Sequence, residues 1–133
     1  SGDPIYIPAA RPEEANADPC LATIRLGASS EGEWTTECPS VHREGRYAKY
    51  YSFTLTSSTT VRIDLESSVD DYLVLLAGRG RDGNVLGSDD DSGDGANARI
   101  IKALEPGTYT IEAVPYAASR TGTFTLRLAV DGS

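Results

Sequence analysis

The chain has 133 residues, of which 39% are hydrophobic, so it is long and apolar enough to form one domain with its own core. Its formal net charge is −8, which argues against nucleic acid as a partner because phosphate binding needs clustered basic residues. The same charge disfavours adsorption to an anionic membrane, and no apolar run approaches the ~20 residues that a membrane helix needs. Cations, neutral sugars and other proteins are compatible with this charge.

The first segment, residues 1–19, reads SGDPIYIPAARPEEANADP and holds four of the seven prolines. Proline restricts φ and removes a backbone donor, so the segment is predicted to be extended rather than helical. In an extended chain Ile5 and Ile7 share one face, with Tyr6 opposite. Either the segment lies along its own domain as a linker, or it is an arm that adds a strand to a neighbouring subunit through Ile5, Tyr6 and Ile7.

Residues 20–133 are predicted to form the folded domain, because from Cys20 onward apolar and polar residues alternate as in half-buried strands. The run YLVLLA is continuously apolar, which predicts a strand covered on both faces, and RDGN supplies an Asp-Gly hairpin turn. Eight or nine short strands without a substantial helix predict an all-β, jelly-roll-like antiparallel β-sandwich. The predicted strands are residues 21–26, 32–38, 46–55, 60–66, 72–77, 84–87, 99–104, 108–114 and 121–130. Alternation places Tyr51, Phe53 and Leu55 on one face of the third strand and buries Val61, Ile63 and Leu65 of the fourth. The last strand is expected to bury Phe124, Leu126, Leu128 and Val130.

The two cysteines, Cys20 and Cys38, suit a single disulfide. A loop of this length would stabilise the fold by roughly 3 kcal/mol in the chain-entropy model. The alternative is two buried thiols in a cytosolic protein. Trp34, near Cys38 in the sequence, is expected to pack on the disulfide.

Residues 88–97, SDDDSGDGAN, form the most acidic stretch of the chain. Asp90, Ser92, Asp94 and Gly95 match the opening of an EF-hand loop, in which oxygen ligands alternate around one Ca²⁺. The twelfth position is Ile101 instead of glutamate, and no helices flank the loop. An EF-hand is therefore excluded.

A calcium site built from neighbouring loops of a sandwich remains possible. Two aspartates precede the YLVLL strand, and the hairpin can return the acidic stretch to the same end of the domain. Their oxygens suit Ca²⁺, whereas zinc is disfavoured because the stretch has no His or free Cys. The competing interpretation is a solvated turn whose aspartates cap backbone donors. The candidate ligands are Asp70, Asp71, Asp89, Asp90, Asp91, Asp94 and Asn97.

Catalysis is not expected. Asp91, Ser92 and Gly93 match part of the surroundings of a serine protease nucleophile, but the preceding glycine is missing. His42, the sole histidine, is the one possible base, and nothing in the sequence supports a triad. We therefore expect a protein that is not an enzyme.

An ordered series of segments runs through residues 45–130, about two thirds of the chain. It reads GRYAKYYSFTL, TVRIDL, DDYLVLL, DGNVL, DDDSGDGANARI, PGTYTIEA and TGTFTLRL. The series resembles the bacterial pre-peptidase C-terminal domain, a family related to collagenase collagen-binding domains. The resemblance implies a secreted, non-catalytic β-sandwich that accompanies secreted peptidases or lies on cell-surface proteins, with relatives that bind collagen and calcium. The family pattern includes neither the segment of Cys20 and Cys38 nor the proline-rich arm.

These features predict a secreted, calcium-binding structural or interaction module. Its arm is expected to join subunits into a homo-oligomer or an extracellular filament, since a head-to-tail contact that does not close propagates. The alternative is an accessory module that binds carbohydrate or a fibrous protein. An exposed row of aromatic residues would favour that alternative, and a flat polar face would oppose it. The aromatic candidates are Trp34, Tyr47, Tyr50, Tyr72 and Tyr116.

Overall fold

A computed structural model describes residues 20–40, 45–67, 70–81, 83–89, 97–115 and 121–131. Within these ranges the chain forms nine strands and no helix, and so has no helix that could cross a membrane. The strands are β1 (Leu21–Thr23), β2 (Ala28–Trp34), β3 (Lys49–Leu55), β4 (Thr59–Ser67), β5 (Asp71–Ala77), β6 (Val85–Asp89), β7 (Ala98–Leu104), β8 (Gly107–Pro115) and β9 (Gly122–Val130).

The strands form two sheets that pack face to face. One sheet has the order β2–β9–β4–β7, and the other has the order β1–β3–β8–β5–β6. Neighbouring strands are antiparallel except β1 and β3, which are parallel. The predicted all-β sandwich is confirmed, as is the hairpin of β5 and β6.

The first two predicted strands have different bounds in the structure. The strand expected over 21–26 ends at Thr23, and the one expected over 32–38 covers Ala28–Trp34. Gly27 adopts a φ of 90°, which lets the chain reverse sharply between the two strands. A second turn follows β2, where the Cys38 amide donates to the Thr35 carbonyl at 3.3 Å.

The main core lies between the sheets and is built by alternate residues of the strands, whose side chains point inward. The predicted inward residues of β3 and β4 are all buried there. Val130 was also predicted to be buried, and this was wrong, since its side chain is 38% exposed. Val130 is the last residue of β9, where the sheet ends and leaves that side chain partly uncovered. The inward residues of β3 and β4 are Tyr51, Phe53, Leu55, Val61, Ile63 and Leu65.

A second apolar cluster lies on the outer face of the five-stranded sheet. Cys20 and Cys38 form a disulfide and pack there against Tyr50, Val74 and Leu76. The β5 strand therefore buries residues on both of its faces, as its continuous apolar run predicts.

Trp34 does not pack in the disulfide cluster, so that expectation was wrong. Its ring lies between the sheets, 4.7 Å from the ring centroid of Phe124, and its indole N–H donates to the Ala113 carbonyl at 2.9 Å. The turn after β2 carries Cys38 away to the outside of the opposite sheet. Proximity in sequence therefore did not imply contact.

Gly32 lies where an added Cβ would be 2.5 Å from Phe124 Cζ and 2.6 Å from Tyr51 Oη. Because both rings are packed in the core, we expect Gly32→Ala to lower the free energy of unfolding by about 1–3 kcal/mol. Gly87→Ala is the matched control, since the nearest atom to its added Cβ is Lys102 Cδ at 4.0 Å. Urea denaturation measures both variants, and equal loss in the two would contradict this account.

Candidate functional site

The predicted acidic site lies at one end of the sandwich, where β4 and β6 end and β5 and β7 begin. Asp71 is fully buried there. Its Oδ1 accepts a hydrogen bond from the Ala98 amide at 2.7 Å, and its Oδ2 accepts one from the Ser67 hydroxyl at 2.9 Å. A single carboxylate thus ties the end of β4 to the start of β7.

Two further predicted residues bind backbone at the same end. The Asn97 side-chain oxygen accepts a hydrogen bond from the Ser67 amide at 3.2 Å, and Asp89 Oδ2 accepts one from the Arg99 amide at 3.0 Å. The structure therefore brings Asp71, Asp89 and Asn97 to the first residues of β7. In the part of the site that is described, these side chains cap backbone donors, which is the role expected of a structured turn.

The electrostatics of Asp71 follow from its burial. Removal from water raises the pKa of its carboxyl from the ordinary 3.8 to about 7. The hydrogen bonds from Ser67 and Ala98 act in the opposite direction, and the charge of Asp70 adds to the increase. Burial outweighs the donors, so this carboxyl changes charge near neutral pH.

The rest of the predicted calcium set is only partly described. Asp70 is exposed and directly precedes β5. Asp90, Asp91 and Asp94 lie outside the described residues. Among the residues that are described, no three acidic, histidine or cysteine side chains group closely enough to hold a metal ion.

Aromatic residues do not form a binding platform on the described surface. Trp34 and Tyr50 are buried, and Tyr47, Tyr72 and Tyr109 are half-buried. No aromatic side chain is exposed in the ranges that the structure covers. The other candidates, Ile5, Tyr6, Ile7, His42 and Tyr116, lie outside those ranges.

The outer face of the four-stranded sheet is polar and charged. Asp64 bridges two arginines, with its oxygens 2.5 Å from Arg99 Nε and 3.0 Å from Arg62 Nε. Arg127 Nη1 lies 2.6 Å from Glu66 Oε2 on the same face. The Arg99–Asp64 and Arg127–Glu66 pairs join adjacent strands, whereas Arg62 and Asp64 lie on the same strand.

An open groove of about 790 Å³ adjoins this face at the acidic end of the domain. Its lining includes Glu31, Glu33 and Glu66, with Thr123 and Thr125 between them. The groove is therefore lined by polar and acidic side chains, and the ring in its lining, that of Phe124, is buried.

Sequence reasoning missed Glu112, which is fully buried on the outer face of the five-stranded sheet. Its Oε2 accepts a hydrogen bond from the Ser40 hydroxyl, which fastens the segment after Cys38 onto the sheet. Alternation alone places Glu112 outward and in water. The signal that could have corrected this is the apolar outward face of neighbouring β5, which implies a cover over both strands.

The four-stranded sheet has two long edges. β2 and β7 are its outer strands, and each has seven residues. Neither pairs with a further strand within the described ranges. Each edge therefore presents one side of its backbone to a potential partner strand.

The fold is a two-sheet β-sandwich. The family model of the bacterial pre-peptidase C-terminal domain matches residues 47–115, so the chain belongs to this family. The resemblance inferred from the segment order is confirmed. Membership supports a non-catalytic binding module, since these are accessory domains found in secreted peptidases. No curated protein matches the sequence.

Solved structures share the fold at low sequence identity. The pre-peptidase C-terminal domain of Bacillus anthracis collagenase has a TM-score of 0.61 and 17% identity, covering 85% of this chain and 98% of its own. A periplasmic inhibitor of g-type lysozyme from Aeromonas hydrophila has a TM-score of 0.59 and 16% identity, covering 84% of this chain and 97% of its own. The Yersinia pseudotuberculosis-derived mitogen has a TM-score of 0.51 and 16% identity, covering 80% of this chain and 86% of its own. At this identity the likeness extends to the fold.

The raised pKa of Asp71 predicts a pH-dependent stability. The folded carboxyl binds its proton more tightly than the unfolded one, so its contribution to stability is complete below about pH 4 and is lost as pH rises to about 7. Asp71→Asn carries no titrating proton and lacks this loss. The free energy of unfolding of the wild type relative to the variant should therefore fall by a few kcal/mol, to order of magnitude, across that window. Urea denaturation at a series of pH values, in chelator, measures the difference, and parallel profiles would refute it.

Proposed function

We propose that this domain is a non-catalytic, extracellular interaction module that receives a partner strand at an open edge of its four-stranded sheet. The observation that carries the proposal is the pair of seven-residue outer strands, β2 and β7, with no further strand beside them in the described ranges. An edge of this kind is a template for strand addition, in which main-chain hydrogen bonds supply affinity and alternate side chains supply specificity. The disulfide supports an extracellular setting.

The partner strand in this proposal is the N-terminal arm of a second copy. Residues 1–19 are rich in proline, and Ile5 and Ile7 have the spacing of two side chains on one face of a strand. If the arm of each copy reaches the edge of the next, the contact is head-to-tail. Such a contact gives a ring when the rotation closes and a filament when it does not.

The accessory substrate-binding alternative has less support. Stacking on carbohydrate needs an exposed aromatic surface, and the described aromatic side chains are buried or half-buried. The outer face of the four-stranded sheet instead carries arginines, aspartate and glutamate joined in ion pairs. A flat polar face of this kind was the feature expected to oppose carbohydrate binding.

We also propose calcium as a ligand of the acidic end. The support is chemical, since the candidate donors are carboxylate and amide oxygens, which Ca²⁺ prefers. Asp71 and Asp89 already accept hydrogen bonds, but each carboxylate oxygen has a second lone pair. Asp70 and residues 90–94 would supply the remaining oxygens, and the cation would offset their mutual repulsion.

Removal of the arm tests self-association. Deletion of residues 1–12 should leave a folded monomer at concentrations where the full chain assembles, because the donor strand is gone. Light scattering gives the mass, and the melting curve of the truncated protein checks its fold. The full-length double variant Ile5→Ser, Ile7→Ser is the matched control for arm length and should also be monomeric. Undiminished assembly of the truncated protein would overturn the proposal.

Calcium removal tests the cation. A ligand that binds only the native state must stabilise it, by about 2.7 kcal/mol at a hundred times its Kd. The melting temperature should therefore be higher in millimolar Ca²⁺ than in chelator. Asp90→Asn with Asp94→Asn should reduce that difference. An identical melting temperature in both buffers would exclude the site.

A further inference from the structure

We infer that the acceptor for the arm is β7, paired antiparallel to it with Ile5 opposite Ile101. This inference rests on the proposed function and specifies where the partner strand binds. Two edges are long enough to compare, β2 and β7, because β1 has three residues and β6 has five with an irregular register at Leu75 and Leu76 of its neighbour.

The backbone of β7 offers hydrogen-bonding groups at defined residues. The Arg99 amide donates to Asp89 of β6, on the side of β7 that faces away from β4. Backbone groups of successive residues in a strand point in alternate directions. The N–H and C=O groups of Ile101 and Ala103 therefore point off the same free edge.

The side chains at these positions form a neutral, partly apolar rim. Ile101 is 51% exposed, and Ala103 is also exposed. The Arg99 guanidinium lies 2.5 Å from Asp64, a carboxylate that it shares with Arg62. A partner strand here would cover Ile101 and Ala103, whose side chains carry no charge.

The β2 edge has the opposite character. Its exposed alternate residues are Ser29, Glu31 and Glu33, so two carboxylates occupy the positions that Ile101 and Ala103 occupy on β7. A strand with isoleucines at alternate positions would there face carboxylates and remove them from water at a cost. The apolar arm is therefore matched to β7 and mismatched to β2.

The prolines of the arm determine which edge of the extended segment can donate a full set of backbone hydrogen bonds. Pro4 and Pro8 lack an N–H and occupy even positions, so a strand made of this segment can donate fully only from its odd side. Ile5 and Ile7 lie on that odd side. In such a strand the backbone groups of Ile5 and Ile7 point toward one edge, and their side chains share one face.

One antiparallel register satisfies both the proline positions of the arm and the outward backbone groups of β7. With Ile5 opposite Ile101, the residues opposite each other form a hydrogen-bonded pair, and Ile7 lies beside the aliphatic stem of Arg99. The Arg99 amide keeps its bond to Asp89, and its carbonyl accepts from the arm. No proline faces the β7 edge in this register.

Two full-length edge variants test the assignment. Ile101→Lys places a charge where Ile5 would pack and should weaken self-association at least about tenfold. Glu31→Lys is the matched control on β2 and should assemble as the wild type does. Ala103→Lys is a second β7 variant with the same expectation as Ile101→Lys, and melting curves verify that all three are folded.

Mixing two assembly-deficient proteins tests donor and acceptor together. The chain without residues 1–12 keeps a free β7 edge, and Ile101→Lys keeps its arm. Each should be monomeric alone, and their mixture should give one-to-one dimers by light scattering. Absence of dimers would overturn pairing between copies, and with it the proposed function.

The remaining outcomes separate the two claims. If the truncated chain is monomeric but both β7 variants assemble normally, the arm functions and the β7 assignment is wrong. If Glu31→Lys alone prevents assembly, β2 is the acceptor and the assignment is again wrong. If the truncated chain assembles normally, the proposed function fails and the assignment fails with it.

Discussion

Burial of β5 on both faces is the constraint on which the rest of this structure depends. Leu73 and Leu75 pack into the core between the sheets, while Val74 and Leu76 pack outward under the disulfide. An outward apolar face needs a cover, and the segment around Cys38 supplies it. Once that cover is in place, Glu112 on the neighbouring strand is buried too, and its bond to Ser40 holds the cover down.

Carboxylates have different partners at the acidic end of the domain and on the outer face of the four-stranded sheet. On the outer face of the four-stranded sheet, acids and arginines pair in water, where each pair stabilises the fold only slightly. At the acidic end, Asp71 is buried, and its hydrogen bonds offset only part of the cost of removing the carboxylate from water. Burial therefore raises the pKa of Asp71, while its hydrogen bonds connect the start of β5 to β4 and β7.

The proposed function depends on the open edges of the four-stranded sheet. A sandwich keeps its edge strands, whereas a closed barrel would remove them. In this domain the two long edges differ in charge, with glutamates along β2 and an exposed isoleucine on β7. Two edges of one sheet can therefore discriminate between partner strands through their side chains.

The sequence alone predicted the sandwich, the inward residues of β3 and β4 and the double burial of β5, because alternation and apolar runs are local consequences of which faces are buried. It favoured the disulfide through the even cysteine count, and the structure decided between that and two free thiols. The sequence did not determine the bounds of β1 and β2, the place of Trp34 or the burial of Glu112. Those depended on where turns carried the chain relative to the opposite sheet. Asp71, Asp89 and Asn97 were found as a group by sequence, but only the tertiary structure placed their oxygens on backbone donors, because those donors belong to strands distant in the chain.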